Sequence, residues 1–209
     1  PIRGVFAYVA DGLLQPGEEA PAHQPQLLPG QVKLKNINGD DKLNEEDMVL
    51  IGRNDPKFIF GFNNNFSYKN FDLNIYMYGQ VGKIAGANSY YDAWGSYGNR
   101  IKLGQNVPVS FKDAWSSDNQ TSTRPSFIES AYGTGDLFLQ KISFLRIRNI
   151  TLGYTVPISK SICNRLRVYA DINNPCVWTN WKGQDPETDS NTNAYPNVTS
   201  FSIGVDISF

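Results

Sequence analysis

Over the last eleven positions, TSFSIGVDISF, apolar and polar residues alternate with a period of two. Phe201, Ile203, Val205, Ile207 and Phe209 fall on one side, and Ser200, Ser202, Gly204, Asp206 and Ser208 on the other. That spacing predicts a β-strand with one apolar and one polar face. The same pattern recurs upstream. Residues 57–68 put Phe58, Phe60, Phe62, Phe66 and Tyr68 on one face, with Asn64 as the exception. Residues 71–81 set Phe71, Leu73, Ile75, Met77 and Val81 opposite Asp72, Asn74, Tyr76, Tyr78 and Gln80, and Lys69-Asn70 between the two segments reads as a two-residue hairpin turn. Residues 166–174 place Leu166, Val168, Ala170 and Ile172 opposite Arg167, Tyr169, Asp171 and Asn173. In residues 142–156 the parity breaks. Leu145 and Ile147 keep one phase, Ile150, Leu152, Tyr154 and Val156 the other, and a β-bulge near Arg148-Asn149 reconciles them. Residues 4–10 read as a further, weaker strand.

The connections alternate in length. Residues 11–56 are long, 69–70 tight, 82–141 long, 157–165 moderate and 175–199 long. Transmembrane barrels carry long outer loops and short periplasmic turns, whereas a soluble sandwich has no reason for that asymmetry. The expected class is therefore all-β, the closing strands and outer loops of a large transmembrane barrel, with Phe58, Phe60, Leu73, Ile75, Val168, Ile203 and Ile207 toward lipid. Asn, Ser, Gly, Tyr and Arg on the other face suit a wet lumen. Six strands at most are fewer than the eight of the smallest membrane barrels, so they are expected to join further strands of a longer chain. Pro1-Ile2-Arg3-Gly4 likewise reads as a point inside a longer sequence.

Composition narrows the partners. Lys and Arg number 19 against 20 Asp and Glu, so no basic excess points to nucleic acid. No apolar run approaches the ~20 residues of a membrane helix, which leaves a barrel untouched. Cys163 and Cys176 are expected to be free thiols: a strand over 166–175 would hold them roughly 30 Å apart.

The sharpest local motif is NINGDDKLNEED. Oxygen-bearing side chains at Asn36, Asn38, Asp40, Asn44 and Asp47, with the backbone carbonyl of Lys42, match positions 1, 3, 5, 9, 12 and 7 of a calcium loop. A hard cation, Ca2+ or Mg2+, needs six or more oxygens, which alternate residues of a tight loop can supply. Asp41 stands where Gly usually makes the sharp turn, and Asp47 is shorter than the usual Glu. A metal-free Asx-rich turn before a short helix at 44–48 stays open as the alternative.

No residue constellation is catalytic, and no enzyme is expected. His23 lies in the Pro-rich EEAPAHQPQ and reads as a solvated loop residue, as do the acids Glu18-Glu19 and Asp185-Glu187. The run NSYYDAWGSYGNR offers Tyr90, Tyr91, Trp94 and Tyr97 among amides and glycines, a composition suited to stacking an amphipathic ligand such as a sugar. Packing among themselves or at the lipid interface is the alternative. Trp178 and Trp181 read as interface or partner-contact residues.

With these pieces the chain resembles the C-terminal part of SusC/RagA-like TonB-linked outer-membrane transporters of Bacteroidetes. The likeness is carried by VFAYVADGLLQ (5–15), residues 29–82, FLRIRNITLGYTVP (144–157), LRVYADINNPCVWTNWKGQDPE (166–187) and YPNVTSFSIGVDISF (195–209). Asp41 and NNPCVWT (173–179) depart from the usual pattern. The resemblance implies a 22-stranded barrel of which residues 1–209 are the C-terminal portion. It places the signal peptide, TonB box and plug upstream of residue 1. It implies import of glycans or peptides beneath a SusD-like lipoprotein, driven through TonB, in the outer membrane of a Gram-negative cell. The strand Phe201, Ile203, Val205, Ile207, Phe209 would be the terminal assembly strand. A siderophore or vitamin receptor, and a soluble calcium-stabilised sugar-binding sandwich, are the other readings.

Overall fold

The computed structural model describes residues 3–86, 103–104, 106, 109–127, 130–158, 163–183, 185–188 and 194–209. The chain divides into two compact units.

One unit holds a five-stranded sheet in the order β5-β6-β7-β8-β9. Its strands are β5 (Phe58–Tyr68), β6 (Phe71–Gly86), β7 (Leu139–Val156), β8 (Arg165–Thr179) and β9 (Ser200–Ser208). β5 and β6 pair antiparallel without a register break, from Phe58↔Val81 to Tyr68↔Phe71. The turn between them is Lys69-Asn70, with Lys69 at φ 52°. Because side chains alternate with period two, this register puts the whole apolar set of both strands on one face. β8 and β9 repeat the device: Leu166↔Ile207, Val168↔Val205, Ala170↔Ile203 and Ile172↔Phe201 form one apolar row. β7 joins it through Val156↔Leu166, Tyr154↔Val168, Leu152↔Ala170 and Ile150↔Ile172.

This apolar face is open. Phe58, Phe62, Phe66, Phe71 and Leu152 are at least half exposed, and Ile203 reaches 86%. Phe60 and Ile75 are half-buried. Phe58, Phe60 and Phe62 stack along β5 with ring centroids 5.8 and 5.6 Å apart. A water-soluble sandwich would cover such a surface. A sheet with hydrocarbon on one side leaves it bare, as expected from the sequence.

The irregularity in β7 lies where the parity breaks. The β7–β8 register shifts between Ile147 and Asn149, and Asn174 across from it takes φ 49°. Below the shift Tyr154 meets Phe71 of the apolar face at 4.7 Å. Above it Phe144 meets Tyr78 of the polar face at 5.9 Å, and the Arg148 guanidinium lies 5.7 Å from the Tyr78 ring centroid. Even-numbered residues of β7 thus change sides at the bulge.

The other unit corrects the reading of residues 4–10 as a barrel stave. They form two short strands, β1 (Gly4–Ala7) and the start of β2 (Ala10–Leu13). β1 pairs with β4 (Val49–Arg53), and β2 with β3 (Val32–Leu34), each in its own two-stranded sheet. Both partners come from within the expected loop 11–56. Runs of three to five residues are too short to show a period. The unit's core is Leu13, Val32 and Leu34, with Tyr8, Ala10, Leu43, Trp115 and Tyr132 against it. Gln24, fully buried, extends β3 by donating from Nε2 to the Val32 carbonyl and accepting at Oε1 from Leu34 N–H at 2.7 Å.

Ile75→Arg in the complete protein is expected to cost about 2–4 kcal/mol where the position lies near the bilayer midplane, and Ile75→Leu almost nothing. The temperature at which the folded band unfolds on a detergent gel checks this; an unchanged temperature for the arginine variant would refute the lipid-facing placement.

Candidate functional site

The polar face of the five-stranded sheet carries an ordered lattice. Near the Lys69-Asn70 turn, Arg167 of β8 grips Asp72 of β6 with two bonds, Nε to Oδ1 at 2.9 Å and Nη2 to Oδ2 at 2.6 Å. Its Nη1 donates to Asp206 of β9 at 3.0 Å. β7 lies between β6 and β8, and the pair crosses it at Gly153. A Cβ there would run into both the guanidinium and the Asp72 carboxylate, so a residue without a side chain is needed. Higher on β5 and β6, Asn74 Nδ2 donates to the Oδ1 atoms of Asn63 and Asn65 at 2.7 and 2.6 Å. The Thr151 hydroxyl lies within hydrogen-bond reach of both Asn149 Oδ1 and Asp171 Oδ1, which share its one proton, and Asn149 donates to Asn173. Such lateral bonds between neighbouring strands suit a wall facing water.

At the far end of the same face, Asp185, Glu187 and Asn197 of the β8–β9 connection lie against the sheet. Arg146 of β7, 2% exposed, donates from Nη2 to Asp185 Oδ1 at 2.8 Å, and Asp185 itself is 3% exposed. Arg146 Nε lies 3.2 Å from Glu187 Oε1, a charge contact off hydrogen-bond alignment. Arg148 Nη2 reaches Glu187 Oε2 at 2.7 Å. Asn197 donates its backbone N–H to Asp185 at 2.9 Å and its Nδ2 to Glu187 at 2.9 Å. Burial pushes the Asp185 carboxyl upward. The N–H groups of Glu187 and Asn197 and the charge of Arg146 outweigh it and hold the carboxyl below its ordinary value.

The sequence reading of Asp185 and Glu187 as solvated charges is thus corrected: both are partners of arginines 39 residues away in the chain. Arg146, Arg148 and Asn197 were not picked out. The signal for the arginines was there, since charges at alternate positions of the apolar strand FLRIRNI need partners. Trp181 is also corrected. It is buried at 6% exposure, with Gly183 packed so closely on its indole that a Cβ would collide, while Trp178 stays 54% exposed. Tyr90, Tyr91, Trp94 and Tyr97 lie outside the described residues. In the terminal strand Phe201, Ile203, Val205 and Ile207 share the exposed apolar face, and Phe209 is 87% exposed beyond it. Cys163 and Cys176 are free.

The acidic loop 36–47 folds as a chain of Asx turns. Asn36 accepts from Gly39 N–H, Asn38 from Asp40, Asp40 from Lys42, and Asn44 from Glu46, all through Oδ1 at 2.7–3.0 Å. Asn38 and Asn44 turn their Nδ2 groups toward Asp40 Oδ2. Asp47 closes the loop from within. It is fully buried and accepts from Ile37 N–H at 2.7 Å and Asn44 N–H at 3.0 Å. The bond from Asn44, with those from Ile37 and Asn38, holds its carboxyl below the ordinary value. Asn44 caps a single 3-10 turn, Glu45–Asp47. Asp47 is therefore a tie for the backbone rather than a ligand at position 12. The donors left for a cation are Asn36, Asn38, Asp40, the Lys42 carbonyl and Asn44, only one of them charged. Elsewhere in this unit His23 is half-buried rather than fully solvated, and its Nε2 donates to the Leu34 carbonyl at 2.8 Å. Glu18 accepts from Lys33 at 2.6 Å, which with the Gln15 N–H keeps its carboxyl low.

No family model matches the chain. It is 28% identical over 201 residues to TonB-dependent receptor P3 of Formosa agariphila, covering 87% of this chain and 19% of that protein. It is 26% identical over 180 residues to TonB-dependent receptor SusC of Bacteroides thetaiotaomicron, covering 82% and 17%. In structure it is similar to the RagAB peptide importer in its open-open state, with a TM-score of 0.71, 22% identity, and coverage of 99% of this chain and 22% of that one. That likeness is one of fold. The chain spans about a fifth of the length of the curated relatives it matches.

Asp185→Ala is expected to leave the buried Arg146 without its hydrogen-bonded carboxylate and with only the off-alignment contact to Glu187, at a cost on the order of 3 kcal/mol, and to open residues 180–199 to proteolysis. Because the folded carboxyl titrates below its unfolded value of about 3.9, its contribution is complete above that value and lost as pH falls through the folded one. Proteolysis of the connection in the unmutated protein should then be flat from pH 7 to 5 and rise only below about pH 4.

Proposed function

We propose that this chain, homologous to SusC-type TonB-dependent receptors over most of its length, supplies strands and outer loops to an outer-membrane barrel that imports nutrients. The cargo class is glycans or peptides. A SusD-like lipoprotein covers the outer mouth, TonB supplies the energy through parts of the receptor upstream of these residues, and the remaining strands of the same chain close the barrel. The observation that carries this reading is the two-faced sheet: an open apolar row from Phe58 to Ile207 on one side and, on the other, the Asp72–Arg167–Asp206 lattice. The first belongs in hydrocarbon and the second in water. No helix among the described residues is long and apolar enough to cross a membrane, which says nothing of strands.

The described residues contribute no catalytic step to this function. They exclude lipid on one side, hold a wetted wall on the other, and anchor a connection over that wall through Arg146 and Arg148. Deleting the receptor gene should abolish growth on one glycan or peptide source, and the effect should be reproduced by loss of TonB. The receptor purified from outer membranes should carry a SusD-like lipoprotein with it. Recovery of the complete receptor from the soluble fraction would overturn the reading.

We propose in addition that loop 36–47 takes Ca2+ weakly, because Asp40 is the one charged donor left once Asp47 is tied to the backbone. A dissociation constant on the order of 10⁻³ M is expected, as in low-charge extracellular sites. Calcium titration by calorimetry checks it, with Asp40→Ala removing the heat. Submicromolar binding would contradict this accounting of donors.

A further inference from the structure

The β8–β9 connection would read as one more outward loop, yet Asp185, Glu187 and Asn197 on it are bonded to the polar face of the sheet. Arg148 sits against Tyr78, whose neighbours on β6 are the polar-face residues Tyr76 and Asn74. Glu187 and Asn197 are bonded to Arg148, and Asp185 to Arg146 beside it. Ile142 and Phe144 of β7 are buried, and Pro186 of the connection is fully enclosed. The connection's start is stitched to β7 as well, with Asn180 accepting from Ser143 N–H at 2.8 Å and donating to the Lys141 carbonyl at 2.7 Å. Among the described residues of the connection, Tyr195 and Val198 are the large exposed side chains, and Tyr195 carries the ring. Tyr195 is 92% exposed, two residues from Asn197 and directly before Pro196. A ring followed by a proline and by a bonded Asn197 gives up less conformational freedom on meeting a ligand than one on an untied chain.

We infer that the arginine latch formed by Arg146 and Arg148 with Asp185, Glu187 and Asn197 holds residues 185–188 and 194–197 inside the import path, and that Tyr195 among them is a cargo-contacting, specificity-determining residue. The inference rests on the reading of the polar face as the lumen wall. Latch residues are positioning residues. They act by keeping Tyr195 over the wall and away from the outer medium. The ring's chemistry suits a neutral amphipathic face, a sugar ring or an apolar peptide side chain.

The test uses the complete receptor in outer membranes of intact cells, with Tyr195→Cys as the reporter in a background of Cys163→Ser and Cys176→Ser. Two thiol probes are compared, a small methanethiosulfonate and a maleimide carrying a 5-kDa polyethylene glycol. The expected result is rapid reaction with the small probe and at least tenfold slower reaction with the large one. Adding Asp185→Ala should erase that size difference while the heat-modifiable folded band persists. Where Asp185→Ala does not assemble, Asn197→Ala takes its place, since it cuts the side-chain bonds to Arg148, Asp185 and Glu187 without leaving a buried charge unpaired. Equal reactivity with both probes in the latched receptor would overturn the inference. So would a size difference that survives loss of the latch in an assembled barrel. Failure of the underlying reading looks different: the unmutated receptor then shows no heat-modifiable band in the outer membrane.

Discussion

The antiparallel register of β5 through β9 is the constraint on which the rest of this structure depends. A strand exposes its odd and even residues to opposite sides, so a strand can be apolar on one side only if its neighbours agree with it residue for residue. Phe66↔Leu73, Val168↔Val205 and Ile172↔Phe201 show that agreement on the apolar face, and Asn65↔Asn74 and Arg167↔Asp206 show it on the polar one. A slip of one residue anywhere would place phenylalanines in the lattice of charges and charges among the phenylalanines. Both faces therefore enforce the same pairing, one by excluding water and the other by hydrogen bonding.

The bulge at Ile147–Asn149 uses this constraint locally. Below it, β7 contributes Ile150, Leu152 and Tyr154 to the apolar row. Above it, the same parity carries Phe144, Arg146 and Arg148 to the polar side. Without the switch, two arginines would face the apolar surroundings and lose Asp185, Glu187 and Asn197. The break in alternation visible in ISFLRIRNITLGYTV is the sequence trace of a strand that serves two purposes along its length.

Most of the large sheet was legible because long strands display their period many times. β5, β6 and β9 each repeat the alternation over nine residues or more. β1 to β4 were not legible, because three to five residues contain too few repeats to distinguish a strand from a loop. The partners of buried polar groups were hidden for another reason. Asp185 looks solvated in a polar run, and only a contact with Arg146, far off in sequence, removes it from water. His23 and Gln24 behave alike, each bound to the backbone of β3 across about ten residues. In the acidic loop the spacing of oxygens was readable. The commitment of Asp47 to three backbone N–H groups was not, because a ligand and a cap use the same carboxylate and differ only in which way it turns.

Gly153 shows how little chemistry is needed to make a sheet resist shear. A guanidinium from one strand and carboxylates from two others meet above a position that has no side chain, so three staves are pinned by a single bolt passing over a fourth. Sliding β6, β8 or β9 by one step points its share of the bolt to the other side, and sliding β7 by one step drops Leu152 or Tyr154 into the bolt's path. Like the pins of a tumbler, the four strands can be seated together in one alignment and in none of the adjacent ones.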